Sequence, residues 1–536
     1  MESDRLVDNQ KTYNYLDEDV EINGYLVSTK NGSYSCLSLN HELSDTVIKT
    51  EVPQGRHLGV FSTMVLFVSR MVGSGIFATP SSIFVSSGGN ILIFALIWIV
   101  ATLLAYSGLY IFLEFGSWLP KSGGRKNFLE QAYDKPALMM NVSFACYSVL
   151  TGIAISNSII FAKYLLVILG YTNLDYSKFV SIAIILVIIA IHGFSVKFGI
   201  KIQNFLGTLK FLLIFLMCLT GFYTIFFYKS DNINFTHWTS YQGNTGISYS
   251  SLASAFIGAF YCFSGWDSVH VVSSEIKNPN RTLKLAGPLS IFICFVCYAM
   301  MNFAYLKVLT FEEIKEAGPL IGSVLFKKLF GKNLGSRLMS LSIVLSTASN
   351  IFVVLYGLSR MNQEVFREGY VPFSNILSRN WPNDAPLPSL MICGTLTILW
   401  LLILPPEGGS FEYLVNMEGY GNQFFLFLTA VGLFIYRHKR KYEIPKIRCS
   451  SLGAISMVLV SIYLLVAPFF GNQELNRVGN FPSFQITALS IIISCTSYWF
   501  LVFYAIPKVL GYKLVPVSEK LSDGMIITSW IRSYES

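Results

Sequence analysis

Long apolar stretches dominate this sequence and restrict what it can fold into. They recur from position 59 to 506, each about 20 residues long, which is enough for a helix to cross a hydrocarbon core of roughly 30 Å. Lipid offers the backbone no hydrogen bonds, so repeated spans of this length indicate a helical bundle. Only 13% of the 536 residues are charged, about half the share usual in a soluble domain. The sequence therefore predicts an all-α integral membrane protein.

Twelve spans account for the apolar stretches. The predicted spans are 59–87, 89–118, 136–169, 177–193, 196–228, 250–275, 286–309, 336–360, 388–404, 409–436, 451–470 and 482–506. The polar segment before them, with few large apolar residues, predicts a disordered N-terminal tail. The predicted organisation is a tail at 1–58, a transmembrane domain at 59–506 and a C-terminal tail at 507–536.

Basic residues between the spans indicate the orientation of the chain. The run YRHKRKYEIPKIR at 436–448 is predicted to face the cytoplasm by the positive-inside rule. An even number of spans then places both termini in the cytoplasm. The net charge of +8 is scattered among loops, which suits anionic lipid rather than nucleic acid. The nine cysteines show no metal-ligand spacing and no nucleophile–base set is apparent, so we predict no metal, no cofactor and no enzyme activity.

The first span is interrupted by its weakest helix formers. The segment SRMVGSGIFATP at 69–80 places Gly73, Ser74 and Gly75 about halfway along the span. A helix that unwinds there exposes free N–H groups at the start of its second half and free carbonyls at the end of its first. The N–H groups attract a carboxylate and the carbonyls attract an ammonium, which suits an α-amino acid. For an isolated Gly-Ser-Gly, a helix-packing face of small residues is the better explanation.

A second interruption changes that judgement. The segment YCFSGWD at 261–267 again places a Ser-Gly pair inside a span, with a charged residue beside it. Five spans separate the two breaks, so each would occupy the first position of a five-helix half. Interrupted spans at corresponding positions of two halves point to a transporter site at the repeat interface. The pair of breaks therefore favours a central substrate site.

Several motifs resemble one branch of the amino-acid transporters. GSGIF in the first span is similar to the signature of the L-type branch of the APC superfamily. The resemblance continues in PKSGGRKNFLEQAY at 120–133, SVKFGIKIQNFLGTLK at 195–210 and SGWDSVHVVSSEIKNPNRTLKLAGPLS at 264–290. The blocks EVPQGRHLGVFSTMVLFVSR, SEIKNP and MEGYGNQFFLFL resemble the fungal methionine permeases, with the low-affinity type the nearer.

The resemblance implies a fold and an activity. The fold would be LeuT-like, with 12 transmembrane helices, a 5+5 inverted repeat and two extra C-terminal helices. The activity would be import of methionine, and of related neutral amino acids such as cysteine, across the plasma membrane by proton-coupled alternating access. A broader neutral amino-acid exchanger, or a non-transporting amino-acid sensor with the same fold, remains an alternative.

The resemblance also implies which residues bind the substrate. In L-type relatives the carboxylate meets backbone N–H groups of the Ser-Gly pair, here Ser74 and Gly75, and the amine meets carbonyls before each break. Tyr261 stands where those relatives have a gating phenylalanine. The predicted substrate-binding residues are Met71, Gly73, Ser74, Gly75, Ile76, Tyr261, Cys262, Phe263, Ser264 and Asp267. Tyr147, Asn157 and Ser158 of the third span are expected to complete the side-chain pocket.

Lys210 lies midway along the fifth span, where an ionisable group costs at least roughly 2.5 kcal/mol and indicates a function. The resemblance implies that its ammonium replaces the sodium ion of sodium-driven relatives and joins the first and eighth helices. The predicted partners in the eighth helix are Ser346, Thr347 and Ser349. A desolvated lysine releases its proton more readily than one in water, so Lys210 is the predicted coupling residue. A fixed structural cation is the alternative.

The remaining charges are interpreted as pairs. Arg70 precedes the first break and Asp267 follows the second, and an unpaired charge at that depth would be expensive. We therefore expect a salt bridge between them, with direct substrate contact as the alternative. Glu275 and Arg281, at the cytoplasmic end of the sixth span, are predicted to form an inner gate.

Further partners are predicted from the loops and the tails. Animal L-type exchangers bind a heavy chain through a cysteine in the loop after the third span, and GYTNLDYSK at 170–178 has none. No disulfide-linked heavy chain is therefore expected. Lys11, Lys30 and Lys49 lie in the N-terminal tail, where ubiquitin-ligase adaptors could act on them.

Overall fold

The computed structural model describes most of the membrane region and part of each tail. The described residues are 59–119, 124–152, 154–171, 176–229, 238–242, 247–267, 276–331, 336–382, 385–404, 409–470, 477–520 and 526–534, with the backbone of three short strands nearer the N-terminus. Glu275 of the predicted inner gate lies outside these residues. The lysines at positions 11, 30 and 49 lie outside them as well.

Helices make up nearly all of the described membrane region. In its first half they are α1 Val60–Met71, α2 Gly75–Ala78, α3 Pro80–Ser86, α4 Ile91–Trp118, α5 Arg125–Ala132, α6 Met139–Thr151, α7 Ile155–Ile168, α8 Ser177–Phe194, α9 Val196–Phe226 and α10 Tyr249–Cys262. The later helices are α11 Pro279–Val308, α12 Phe311–Ala317, α13 Ile321–Phe330, α14 Ser336–Arg367, α15 Ser374–Leu377, α16 Leu387–Ile403, α17 Ser410–Lys439, α18 Ser451–Val466, α19 Phe484–Trp499 and α20 Ile506–Leu510.

Ten helical segments of the described chain are long and apolar enough to cross a membrane. The chain is therefore a multi-pass membrane protein, as the recurring apolar stretches predicted. Two of the twelve predicted spans correspond to shorter helices. The sixth corresponds to α10, which has 14 residues before its helix ends, and the ninth corresponds to α16, which has 17.

Polar side chains set several helix starts. Asn90 caps α4 by accepting a hydrogen bond from the N–H of Ile93 at 3.1 Å. Ser248 and Ser251 form a reciprocal capping box at the start of α10, which satisfies two N–H groups that a helix start leaves free. In α4 and α10, short polar residues thus decide where the helix begins.

The first broken helix lies in the centre of the bundle. Phe67, Ile76 and Phe77 of α1 and α2 are fully buried, and α1 packs along α11. By contrast, α9 exposes large apolar side chains such as Leu212 and Phe215, as expected for a surface that faces lipid. The core therefore forms around the interrupted segment rather than around an unbroken helix.

Short strands occur in both tails. Strands β1 Asp19–Ile22, β2 Tyr25–Ser28 and β3 Ser35–Ser38 form an antiparallel sheet in that order. Strands β4 Lys513–Lys520 and β5 Ile526–Ser533 form an antiparallel hairpin. Trp530 of β5 donates from Nε1 to the carbonyl of Glu368 at 3.0 Å and stacks on Tyr370. The C-terminal tail is therefore attached to the end of α14, which its polar sequence did not predict.

Candidate functional site

The first helix is interrupted where the glycines predicted it. Helix α1 ends at Met71, and α2 starts at Gly75. Within the described chain, no group accepts a hydrogen bond from the backbone N–H of Ser74, Gly75 or Ile76. The whole segment is buried, so these N–H groups lie inside the protein. They form the free helix start that a carboxylate would occupy.

Both glycines of the break are required by close packing. A Cβ at Gly73 would overlap the side-chain amide of Asn350. A Cβ at Gly75 would lie 2.9 Å from Sγ of Cys262, which is closer than real Cβ contacts. The hydroxyl of Ser74 donates to Oδ1 of Asn157 at 2.9 Å. The first break therefore touches α7, α10 and α14 at once.

The second break lies directly against the first. Helix α10 ends at Cys262, and Gly265 has a φ of 116°, a backbone conformation that favours glycine. The thiol of Cys262 lies 3.0 Å from Oγ1 of Thr79. The two breaks thus form one centre, as the paired Ser-Gly motifs predicted.

Tyr298 of α11 joins the two helix ends, and the sequence analysis did not identify it. Its hydroxyl lies 2.9 Å from the carbonyl oxygen of Met71 and 2.9 Å from that of Cys262. One hydroxyl has a single proton to donate, so it serves these two carbonyls in turn. The carbonyl of Tyr261 accepts from the N–H of Ser264 at 2.9 Å. The N–H of Phe263 points to the carbonyl of Tyr261 as well. A carbonyl oxygen has two lone pairs, so Met71, which accepts from one hydroxyl, keeps capacity for a substrate ammonium.

A small cavity of about 40 Å³ adjoins the second break. Tyr261, Ser264 and Asp267 line it, together with Arg125, Ile257, Phe260, Trp266, Glu418, Gly419, Asn422, Gln423 and Leu426. Phe263 was predicted to bind substrate, but it is fully buried against Trp98 and Tyr298 instead. The cavity is far below the roughly 150 Å³ of one that holds benzene. It must enlarge before it can hold an amino acid.

Lys210 joins the first and eighth spans through partners other than those predicted. Its ammonium donates to the carbonyl of Ser69 at 2.9 Å and to Oδ1 of Asn350. The predicted partner Thr347 donates to the carbonyl of Ile343 within its own helix. The hydroxyls of Ser346 and Ser349 are buried without a hydrogen bond among the described residues. Helix α14 thus presents an amide, one residue beyond the predicted set, to the ammonium.

A polar chain connects this lysine to the first break. The amide of Asn350 also lies 3.5 Å from Oδ1 of Asn157, and Asn157 accepts from Ser74. Lys210 itself is 1% exposed. The ammonium is therefore in contact, through two asparagine side chains, with the residue whose N–H is predicted to meet the substrate.

The predicted salt bridge between Arg70 and Asp267 is wrong. Asp267 pairs instead with Arg125 of α5, with 2.9 Å between Nη2 and Oδ2. Arg125 also donates to Oδ1 of Asn422 at 2.8 Å. Arg70 forms no ion pair within the part of the chain that the structure describes, and its Nη1 is buried without a hydrogen bond there. It interacts with Asp267 and Glu418 only at longer range.

Helix α5 is held in place beside this pair. Lys126, the next residue, forms an ion pair with Glu368 at the end of α14. Burial lowers the pKa of the Lys126 ammonium, although Glu130 and Glu364 act in the opposite direction. Arg281, the described member of the predicted inner gate, is exposed. Arg125 and Asp267, by contrast, both line the cavity and are paired with each other.

Comparison with known proteins identifies the group to which this chain belongs. A family model described as amino acid permease matches residues 58–501. The chain belongs to the amino acid permease family. The low-affinity methionine permease of Saccharomyces cerevisiae is 55% identical to this permease over 94% of this chain and 93% of its own length. The high-affinity methionine permease of the same yeast is 28% identical over 89% of this chain and 84% of its own length.

Transporters from animals are more distant relatives of this permease. The b(0,+)-type amino acid transporter 1 of Mus musculus is 27% identical over 80% of this chain and 84% of its own length. The resemblance to L-type transporters and to the fungal methionine permeases is therefore confirmed. Of the two yeast permeases, the low-affinity one is the more similar, as the sequence motifs predicted.

Proposed function

We propose that this permease imports methionine across the plasma membrane by alternating access. The observation that carries the proposal is the 55% identity, over nearly the whole length of both chains, to a low-affinity methionine permease. Related neutral amino acids such as cysteine are proposed as further substrates. The family is one of amino acid permeases, and the two yeast relatives are methionine permeases, which is consistent with this activity.

The substrate is proposed to bind across the two helix breaks. Its carboxylate would accept hydrogen bonds from the N–H groups of Ser74, Gly75 and Ile76, which are free and buried. Its ammonium would bind the carbonyl of Met71, which keeps an unused lone pair, together with a carbonyl of the second break near Tyr261 and Ser264. The thioether would then meet the ring of Tyr261, because sulfur makes favourable contacts with aromatic rings. Cys262 would stabilise the site from its buried side, because its thiol contacts the hydroxyl of Thr79.

A LeuT-like arrangement of twelve helices is proposed for the membrane domain. The ten long apolar segments, together with α10 and α16, would make up that number. The two breaks fall in the first and the sixth of these spans, which is the spacing expected of two inverted five-helix repeats. Helices α18 and α19 would be the two added at the end. Both tails, 1–58 and 507–536, would then face the cytoplasm.

Arg125, Asp267 and Asn422 are proposed to form the gate on the cytoplasmic side. They connect α5, the second break and α17 on one side of the cavity. While these contacts hold, the cavity is too small for substrate. Opening toward the cytoplasm requires this gate to separate. The inner gate predicted from Glu275 and Arg281 stays a prediction, because Glu275 lies outside the described residues.

Coupling to protons is proposed to depend on Lys210. Its ammonium joins α1 to α14, in the position that the resemblance assigns to a sodium ion. The Lys210 ammonium would then join the two helices as a bound sodium ion does in sodium-driven relatives. Loss of that charge would free α1 to move relative to α14.

Uptake of radiolabelled methionine tests the proposed function. Cells that express the permease at their surface should accumulate methionine, more rapidly at acidic external pH. Gly73→Ala should abolish uptake, because the added methyl group overlaps Asn350. Gly207→Ala is the matched control, since a Cβ at that helical glycine meets nothing within 4 Å. A surface-localised protein that binds methionine without moving it would instead be a sensor.

A further inference from the structure

Glu418 is a charged residue of the cavity to which the proposed function gives no role. It lies on α17 within the segment MEGYGNQ. The glycines beside it allow unusually close packing. A Cβ at Gly419 would overlap Ile257 of α10, and one at Gly421 would overlap the hydroxyl of Tyr147 on α6. The segment thus holds α17 against both helices, and Glu418 lines the cavity as a result.

Charged and titratable groups face Glu418 from every helix around the cavity. Arg70 of α1, Tyr147 of α6 and Tyr261 of α10 interact with it electrostatically. Arg125 and Asp267 line the same cavity but are already paired with each other. Glu418 belongs to none of the ion pairs among the residues that the structure describes, and the one charge that acts on its carboxylate there is that of Arg70. Arg70, which forms no ion pair among the described residues, is therefore the counter-charge available to Glu418.

The arrival of a substrate would disturb this charge balance. Without substrate, one carboxylate and one guanidinium, Glu418 and Arg70, offset each other. A substrate molecule brings one carboxylate and one ammonium. The ammonium would be satisfied by the carbonyl at the end of α1, whereas the carboxylate at Ser74, just beyond Arg70 in the first break, would compete with Glu418 for that guanidinium. Two carboxylates near one cation in a water-poor site are costly, and neutralising one of them removes the repulsion. Protonation of Glu418 is the way to do so without moving a helix.

We propose that Glu418 binds the proton that accompanies each substrate molecule, an inference that rests on the proposed proton-coupled import. As substrate enters from outside, one external proton bonds to a carboxylate oxygen of Glu418, which becomes neutral. When the gate opens to the cytoplasm, the substrate and this proton leave, and the carboxylate again offsets Arg70. Lys210 has a different part, because it joins two helices and does not face the cavity.

Proton uptake upon methionine binding tests this assignment directly. The purified permease is placed in weakly buffered detergent with a pH-indicator dye, and methionine is added. The wild-type protein should take up about one proton per bound methionine, whereas Glu418→Gln, which keeps the shape and is always neutral, should take up none. Glu412→Gln is the matched control, since Glu412 lies in the first turn of the same helix and outside the cavity. It should behave like the wild type.

The pH dependence of the methionine affinity supplies a second measurement. Proton and methionine must affect each other's binding equally, and such couplings usually change affinity about 5- to 150-fold. The methionine affinity of the wild type should therefore rise at least roughly fivefold from neutral to acidic pH. That of Glu418→Gln should not change with pH, while its exchange of internal for external methionine at equal pH should persist.

Specific outcomes would overturn the assignment. Proton uptake by Glu418→Gln on binding methionine would do so, as would binding by the wild type without proton uptake. If Glu418→Gln does not fold, Glu418→Asp decides, because the shorter side chain moves the carboxylate relative to Arg70. If the methionine affinity of Glu418→Asp changes with pH at the same midpoint as that of the wild type, this result would count against the proposal. Absence of methionine binding by the wild type would instead refute the proposed function.

Discussion

Neutralising Arg125 and Asp267, separately and together, tests which residue closes the cavity. The sequence suggested that Asp267 bridges to Arg70, whereas the structure pairs it with Arg125 at 2.9 Å. Arg125→Gln and Asp267→Asn each remove one charge with little change in size. If the two residues act as one contact, the second substitution should add little to the first.

The expected magnitude follows from the exposure of the pair. The side chains of Arg125 and Asp267 are 10% and 33% exposed. Exposed pairs contribute about 0.2–1 kcal/mol, and rupture of a fully buried pair costs about 3–5 kcal/mol. A value between these limits, about 1.4 kcal/mol, corresponds to a tenfold change in an equilibrium constant. Each single variant should therefore shift the gate about tenfold toward its open state.

Labelling of a cysteine in the cavity measures that shift. Leu426→Cys places a thiol on the cavity wall where the native side chain is 1% exposed, and a membrane-impermeant maleimide is applied from the cytoplasmic side of inside-out vesicles. Arg125→Gln and Asp267→Asn should each raise the labelling rate about tenfold, with no further rise in the double variant. The control cycle combines Arg70→Gln with Asp267→Asn, and its effects should be nearly additive. Stronger coupling of Asp267 to Arg70 than to Arg125 would refute the reasoning.

Four shorter predictions concern coupling, assembly, turnover and stability. Lys210→Ala should abolish proton-driven accumulation while methionine binding shows that the protein is folded; accumulation that persists would exclude Lys210 from coupling. The purified permease should transport methionine in liposomes without a second subunit, and a strict requirement for one would contradict the loop analysis. Replacing Lys11, Lys30 and Lys49 with Arg should keep the protein at the cell surface in excess methionine, as measured by microscopy; unchanged internalisation would argue against ubiquitin attachment there. Glu114→Gln should lower the unfolding free energy by about 3 kcal/mol, the loss expected when a buried ion pair is broken. Glu114 is buried and accepts two hydrogen bonds from Arg437 of α17. An unchanged melting temperature in detergent would contradict this prediction.

Features that depend on one segment of chain could be predicted from the sequence. The recurring apolar stretches determined the membrane class, because span length and hydropathy are properties of a single segment. Gly73, Gly75 and Gly265 predicted where two helices are interrupted, since glycine is a weak helix former. Lys210 was recognised because a charge inside an apolar run is costly wherever it lies. These inferences needed no knowledge of which helices are neighbours.

Partners from distant parts of the chain were decided by the tertiary structure alone. Arg125 and Asp267 are 142 residues apart, and only the packing of α5 beside the second break brings them together. The partner of Lys210 proved to be Asn350 because the rotation of α14 presents that side chain, and not Ser349, to the ammonium. Glu418 reaches the cavity because α17 packs closely through adjacent glycines. A side chain's position in the sequence limits its depth in the membrane, but helix rotation and packing select its contacts.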